Sequence, residues 1–311
     1  MTRQYAHRTT RSAGAGRRTI TRLDRSDTLP LRHQRIRHDA LGRFRRSISG
    51  VVGIVLVLIV IVPAMAAPLL TTADPNATDV RNAYAPISLD HPFGTDNLGR
   101  DVLTRVLYGA RTSVFVGLAI VVLTAVAGSL IGFLAGYYAR LDAPLMRLID
   151  MLSAFPAILL ALAIVAVLGP RLINIVIATS IVLTTATARV VRGTVLQCKE
   201  MEFVQAARAS GAGDGRIIMY HLLPSTLPLL IVQQTLVLAL AILIASSLSF
   251  LGLGGPVETP TLGRLVAESR NNLQAHPMLS VYPGAAIFFL VLGVNLVGDG
   301  LRDLFDPRMK R

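Results

Sequence analysis

Six long stretches of this 311-residue chain contain no Asp, Glu, Lys or Arg: Ser47–Ala73, Thr112–Ala139, Met151–Pro170, Leu172–Ala188, Ile217–Val257 and Asn271–Gly298. A helix that crosses the hydrocarbon core of a bilayer needs about 20 mostly apolar residues. Inside that core only helices and closed barrels satisfy every backbone N–H and C=O. Each stretch can hold one crossing. In the long fifth stretch, His221, Pro224 and Pro228 trim the start and the glycines after Leu251 trim the end, which places its span near Leu229–Leu248. Only 16% of the residues are charged, where a soluble domain has about 25%. The pattern predicts an all-α integral membrane protein with six transmembrane helices.

The formal net charge is +13, and residues 1–46 carry most of it: thirteen arginines against three aspartates, a net +10. A basic arm can bind nucleic acid. This one has few aromatic residues and precedes a span, so a cytoplasmic arm under the positive-inside rule explains it better. Its weak apolar periodicity predicts disorder over most of its length. Ala64-Met65-Ala66 resembles a signal-peptide cleavage site, but the long basic region and the span-length apolar run predict an uncleaved first helix. With the amino terminus inside, six spans return the carboxyl terminus inside. The assumed outer segments, Ala73–Arg111, Arg171 and Gly252–Arg270, then hold seven basic and seven acidic residues; the inner loops and tail hold eleven basic and eight acidic.

No span interior holds a clear ionisable group, whereas ion-coupled pumps bury carboxylates or histidines as relays. The polar side chains available are amides and hydroxyls, among them Gln233 and Gln234, which are candidates either for a pore lining or for bonds between helices. Gly128, Gly132 and Gly136 form a small-xxx-small series on one helix face, a signal for close helix packing. Catalytic chemistry is missing. A phosphate loop needs Lys followed by Ser or Thr, and Lys199 and Lys310 are followed by Glu and Arg. The six histidines are scattered and form no metal-ligand cluster. The single cysteine, Cys198, allows no intrachain disulfide and is expected to be a reduced thiol.

One polar module interrupts the apolar chain: "EFVQAARASGAGDGRIIMYHLLP", residues 202–224. Lys199 to Ser210 reads as a short helix with Phe203, Ala206, Ala207 and Ser210 on one face. Gly211-Ala212-Gly213 ends it, because glycine takes the left-handed conformation after a helix. Asp214 can cap a second helix, and Pro224 stops or kinks it before the next span. The spacing predicts helix, glycine turn, helix, projecting from the membrane on the inner side. Its small-residue face suits docking into a cleft, and a surface loop has the same polar character.

The same residues resemble the EAA signature of ABC importer permeases. Gln205-Ala206-Ala207, three residues, Gly211, nine residues, and His221-x-Leu223-Pro224 follow that signature's spacing, with Gln205 replacing Glu and His221 replacing Ile. "HPFGTDNLGRDVLTRVLYGARTS" (His91–Ser113), "SLSFLGLG" (Ser247–Gly254) and "GDGLRDLFDPR" (Gly298–Arg308) are similar to motifs of the C-type subunits of dipeptide, oligopeptide and nickel permeases. Good turn formers such as Gly94, Asp96 and Gly99, with Asp101 near a helix start, account for much of the first motif without a function.

The resemblance implies a type I importer architecture in a bacterial cell membrane: six helices and a cytoplasmic coupling helix. It implies a second homologous permease, two ATPase subunits that bind ATP and magnesium, and an extracytoplasmic substrate-binding protein. No cofactor, metal or nucleic acid is implied for this chain. Gln205, Ala206, Ala207, Gly211, His221, Leu223 and Pro224 would couple it to the ATPase. The cargo implied is a dipeptide or oligopeptide, with nickel or another small solute as the alternative; a secondary transporter or channel is the disfavoured class. The resulting organisation is an arm over 1–46, a first helix over 47–72, an outer loop and pre-membrane helix over 73–111, a permease core over 112–298 with the coupling loop at 194–228, and a tail over 299–311.

Overall fold

The computed structural model describes residues 47–71, 73–256 and 258–305. The basic arm and the end of the tail lie outside them. The main helices are α1 (Ile48–Met65), α2 (Val102–Tyr137), α3 (Ala139–Ser153), α4 (Ala157–Leu168), α5 (Leu172–Cys198), α6 (Glu202–Ala209), α7 (Asp214–Ile217), α8 (Leu223–Leu248), α9 (Leu262–Ser269) and α10 (Met278–Phe305).

The glycine series seats α2 on α5. A Cβ added at Gly128 would lie 2.6 Å from the Thr187 Cβ, one at Gly132 2.6 Å from the Val191 Cβ and 2.8 Å from the Ala188 carbonyl oxygen, and one at Gly136 2.8 Å from the Val195 Cβ. Both residue numbers climb together along this contact, so α2 and α5 run parallel. The chain between them must therefore recross the membrane.

That recrossing departs from a single straight span over Met151–Pro170. It is made by α3 and α4, which are bent by 91° at their junction. The apolar α4 has 12 residues, about 18 Å of helix, against a hydrocarbon core of roughly 30 Å. Pro156 is the cause. It biases Phe155 away from the helical region and supplies no N–H to the preceding turn.

The remaining contacts give the other directions. Gly117 meets Leu238 and Ile242, while Gly128 meets Thr187, which bonds Gln234, so α8 runs antiparallel to α2. Gly53 meets Val297 and Gly293 meets Val57, so α10 runs antiparallel to α1. Gly298 lies against Thr235 of α8. Thus α1, the bent pair and α8 cross one way, and α2, α5 and α10 the other. Six crossings result, five of them single helices long and apolar enough to span. The described chain begins and ends at the end of the bundle that carries α6.

The fifth span is longer than expected. Residues 214–251 run helical, where Pro224 and Pro228 had been expected to trim the start; Gly252, at φ +86°, breaks the helix at the far end. A π-turn over Ile218–Leu222 absorbs the register change. There the Leu223 N–H bonds back to the Ile218 carbonyl, and this widened turn lets Pro224, which has no N–H to give, follow without breaking the helix. Pro228 is carried inside the helix.

At the opposite end of the bundle, a tight loop precedes α2. Asp101 caps that helix by accepting a 2.7 Å hydrogen bond from the Thr104 N–H, and His91 Nδ1 lies 3.0 Å from its other oxygen. Asp96 Oδ1 accepts from the N–H groups of Leu98 and Arg100. Its Oδ2 accepts from Arg100 Nε and Arg105 Nη1 at 2.7 and 2.8 Å. The same two arginines donate to Glu268 Oε2 on α9 at 3.0 and 2.7 Å. Burial alone would raise the Glu268 carboxyl, but Arg105, Arg100 and Arg264 together hold it below its usual range.

Candidate functional site

The polar module folds as a helix, a glycine turn and a second helix. The first helix, α6, is shorter than the Lys199–Ser210 segment expected, because α5 continues to Cys198 and the chain turns through Lys199–Met201 before Glu202. Gly211 takes φ +81°, the left-handed conformation that glycine adopts without a Cβ penalty. Asp214 does not cap the second helix with its side chain; Gly213 stands at the cap position and Asp214 is the first helical residue. Its carboxylate is engaged elsewhere.

The module is fixed to the bundle from below. Val204, Ile217 and Leu222 are fully buried and join Phe133, Val191, Val195 and Cys198 in one apolar cluster. The Tyr137 hydroxyl, at the end of α2, donates a 2.6 Å hydrogen bond to Asp214 Oδ1. The Arg208 guanidinium lies over the Tyr137 ring, 5.8 Å from its centroid. Lys199 Nζ donates to the Gly136 carbonyl at 3.1 Å, which satisfies one of the orphan acceptors at the end of α2. Arg192 of α5 holds Asp142 of α3 in a two-pronged ion pair, with Nη2 to Oδ2 at 2.6 Å.

The upper face of α6 is left free. Phe203, Gln205, Ala206 and Gly211 are exposed and Ala207 is half-buried. Gln205 Nε2 donates to the Glu200 carbonyl at 3.1 Å. A glutamate there could not donate this bond, so the amide has its own local role. His221 is half-buried with its ring 6.2 Å from that of Phe203. Leu223 is half-buried and Pro224 is exposed.

The two adjacent glutamines separate. Gln234 turns toward α5, donating to Thr187 Oγ1 at 3.2 Å. Gln233 lines a cavity of about 650 Å³ between α5, α8 and α10, on the same side as α6; Arg189, Thr194, Gln197, Asp299 and Arg302 also line it. Among the described residues no cluster of His, Cys, Asp and Glu could hold a metal ion.

The polar module thus presents a small exposed face on a braced loop at one end of six membrane crossings. Residues 126–311 match the family described as binding-protein-dependent transport system inner membrane component. The chain belongs to that family. Residues 36–86 also match the N-terminal transmembrane domain of oligopeptide transport permease C. Relatives include a Brucella suis permease assigned to a peptide transport system, 47% identical over 268 residues, covering 86% of this chain and 90% of the relative. The dipeptide transport system permease of Alkalihalophilus pseudofirmus is 43% identical over 273 residues, covering 88% and 90%. A glutathione transport system permease of Escherichia coli is 43% identical over 275 residues, covering 88% and 91%. The chain is thus a multi-pass membrane permease, a transport component of a complex with other subunits.

In this permease the brace between α2 and the loop was not legible in sequence, since Tyr137 and Asp214 lie 77 residues apart. Tyr137→Phe keeps the ring and removes the hydroxyl that donates to Asp214 and accepts from Arg208 Nη2 at 3.4 Å. Amide exchange across 202–217 is expected to quicken in that variant while α2 and α5 keep their protection. Unchanged exchange in the loop would show that the brace does not hold it.

Proposed function

We propose that this permease is the transmembrane subunit of an ATP-driven importer of short peptides, and that the free face of α6 with its glycine turn docks into an ATPase subunit. The observation that carries the docking site is the contrast across one short helix: Val204 fully buried below, Ala206 exposed and Ala207 half-buried above. Small side chains let a partner surface approach the helix backbone closely. The apolar cluster, the Tyr137–Asp214 bond and the Lys199–Gly136 bond then make α6 one body with α2 and α5. A push on α6 is passed to helices that cross the membrane.

A second homologous permease completes the path, and the cavity beside Gln233 is this chain's share of it. ATP and magnesium are held by the ATPase subunits, and an extracytoplasmic binding protein delivers cargo. Relatives named for peptide, dipeptide and glutathione transport support a peptide cargo. The complex, reconstituted with its binding protein, is expected to take up labelled di- and tripeptides only with ATP inside the bacterial-type membrane compartment. Uptake of nickel in place of peptides would replace the cargo assignment.

The +10 arm supports a cytoplasmic position for both termini and for α6. α2 has 36 residues, about 54 Å of helix, so its two ends lie on opposite sides of any bilayer. Asp90 and Arg208 are both exposed. Cysteine at position 90 is expected to react with an impermeant maleimide in intact cells whose outer barrier is opened, and cysteine at 208 only after the inner membrane is breached. The native Cys198 is buried and contributes little background. Labelling of both from one side would refute the topology.

A further inference from the structure

Arg171 and Arg189 bracket the uncharged run of α5. They stand about 27 Å apart along the helix, close to the roughly 30 Å of the hydrocarbon core, so Arg189 marks the membrane boundary on the α6 side. Its Nη2 lies 3.0 Å from Asp150 Oδ1, near the end of α3. Arg192, about one turn further along α5, holds Asp142 near the start of α3. The two aspartates are about 12 Å apart along α3, and their partners only about 4.5 Å apart along α5. Helix α3 therefore lies across α5 at that boundary, and the crossing itself falls to residues 151–168.

Helix α4, with 12 residues, supplies about 18 Å of that crossing, measured from the far boundary beside Arg171. The break at Ala154, Phe155 and Pro156 is thus about 9 Å inside the boundary on the α6 side. Ser153, Ala154, Pro156 and Ala157 are exposed there, as is the Phe155 ring. Pro156 precedes α4 and no side chain caps the helix. Among the described residues, nothing accepts from the N–H groups of Phe155, Ala157 and Ile158, and nothing donates to the carbonyls of Ala154 and Phe155. Open backbone at this depth persists only where protein buries it or water fills a cavity against it. The chain's own helices leave it uncovered, and lipid has no hydrogen bonds to offer. Water has a route close by: Arg189, which pairs with Asp150 about a turn before the break, also lines the cavity of about 650 Å³ that holds Gln233.

We propose that the break between α3 and α4 faces the water-filled transport path rather than lipid, and that residues 153–157 and the Gln233 cavity form one continuous wall along which cargo passes. The inference rests on the reading of that cavity as part of the path and does not depend on what docks on α6.

The probe is a membrane-impermeant, cationic methanethiosulfonate, applied to the assembled complex in vesicles with the α6 side outward and with Cys198→Ser in this chain. Ala154→Cys reports on the break and Gln233→Cys on the cavity. Val126→Cys is the control within the core: Val126 is exposed on α2, two positions from the Gly128 that meets Thr187. Rates are measured without nucleotide and in the vanadate-trapped state. In at least one state, Ala154→Cys is expected to react as Gln233→Cys does and at least about tenfold faster than Val126→Cys, because a thiol in hydrocarbon stays in its unreactive protonated form. Reaction at 233 with a rate at 154 no greater than at 126, in both states, would overturn the inference alone and leave the break covered by another subunit. Reaction at neither 154 nor 233 would overturn the reading of the cavity as well.

Discussion

Gly132→Leu is expected to separate α2 from α5 and to lower the stability of the chain by roughly 3 kcal/mol or more, at the upper end of overpacking costs. The first added carbon alone would sit 2.8 Å from the Ala188 carbonyl oxygen. That oxygen is backbone and cannot swing aside as a side-chain tip can. Helices in lipid associate largely through close van der Waals fit, so a wedge here removes the contact itself. Gly193 on α5 is the matched control, because an added Cβ there meets nothing within 4 Å. Gly193→Ala should be neutral or stabilising, by up to about 1 kcal/mol from helix propensity. Thermal denaturation of the purified protein in detergent compares the two. Equal melting temperatures would contradict the seating of α2 on α5.

A second large effect is expected on α6. Ala207→Trp should leave membrane insertion and folding intact, since substitutions away from packed contacts fall within about 0.5 kcal/mol. If a partner packs on that face, overpacking costs roughly 1–3 kcal/mol, or about 5- to 150-fold in affinity for the ATPase at 1.4 kcal/mol per decade. Gly211→Val acts by another route. A Cβ at Gly211 touches nothing within 4 Å, so its cost is that of the φ +81° backbone, about 1–2 kcal/mol for an ordinary residue. Gly211→Asn, which tolerates the left-handed region, should therefore keep most of the ATPase binding that Gly211→Val loses. Pull-down of the ATPase and ligand-stimulated ATP hydrolysis, each beside an insertion control, measure the ranking. Retention of both by Ala207→Trp would return the module to an ordinary loop.

The crossings were legible because hydrocarbon excludes charge, so each span left an uncharged run. The glycine series was legible because a spacing of four keeps Gly128, Gly132 and Gly136 on one helix face. Their seat was not: nothing local marks Thr187, Ala188, Val191 and Val195 as the facing surface. Apolarity also says where a helix can lie and not how long it is. Pro156 therefore divided the third stretch unannounced, and the π-turn at Ile218–Leu222 carried the fifth span through prolines that looked like its boundary. On α6, the free face and the left-handed Gly211 followed from residue type and spacing. The expected Asp214 cap is absent because the helix starts at Asp214 itself, with Gly213 at the cap position, and its carboxylate accepts from Tyr137. The charge cluster at the far end shows the same limit, with Glu268 standing 163 residues from Arg105.

The central claim is that the ATPase sits on the free face of α6. Single cysteines at Val204, Ala206 and Ala207, in a chain with Cys198→Ser, can be cross-linked in membranes to cysteines placed around the ATPase cleft. Adducts from positions 206 and 207 that vary with nucleotide, and none from the buried position 204, are predicted. Adducts with an extracytoplasmic binding protein, or none with the ATPase from 206 and 207 in an assembled complex, would contradict the account.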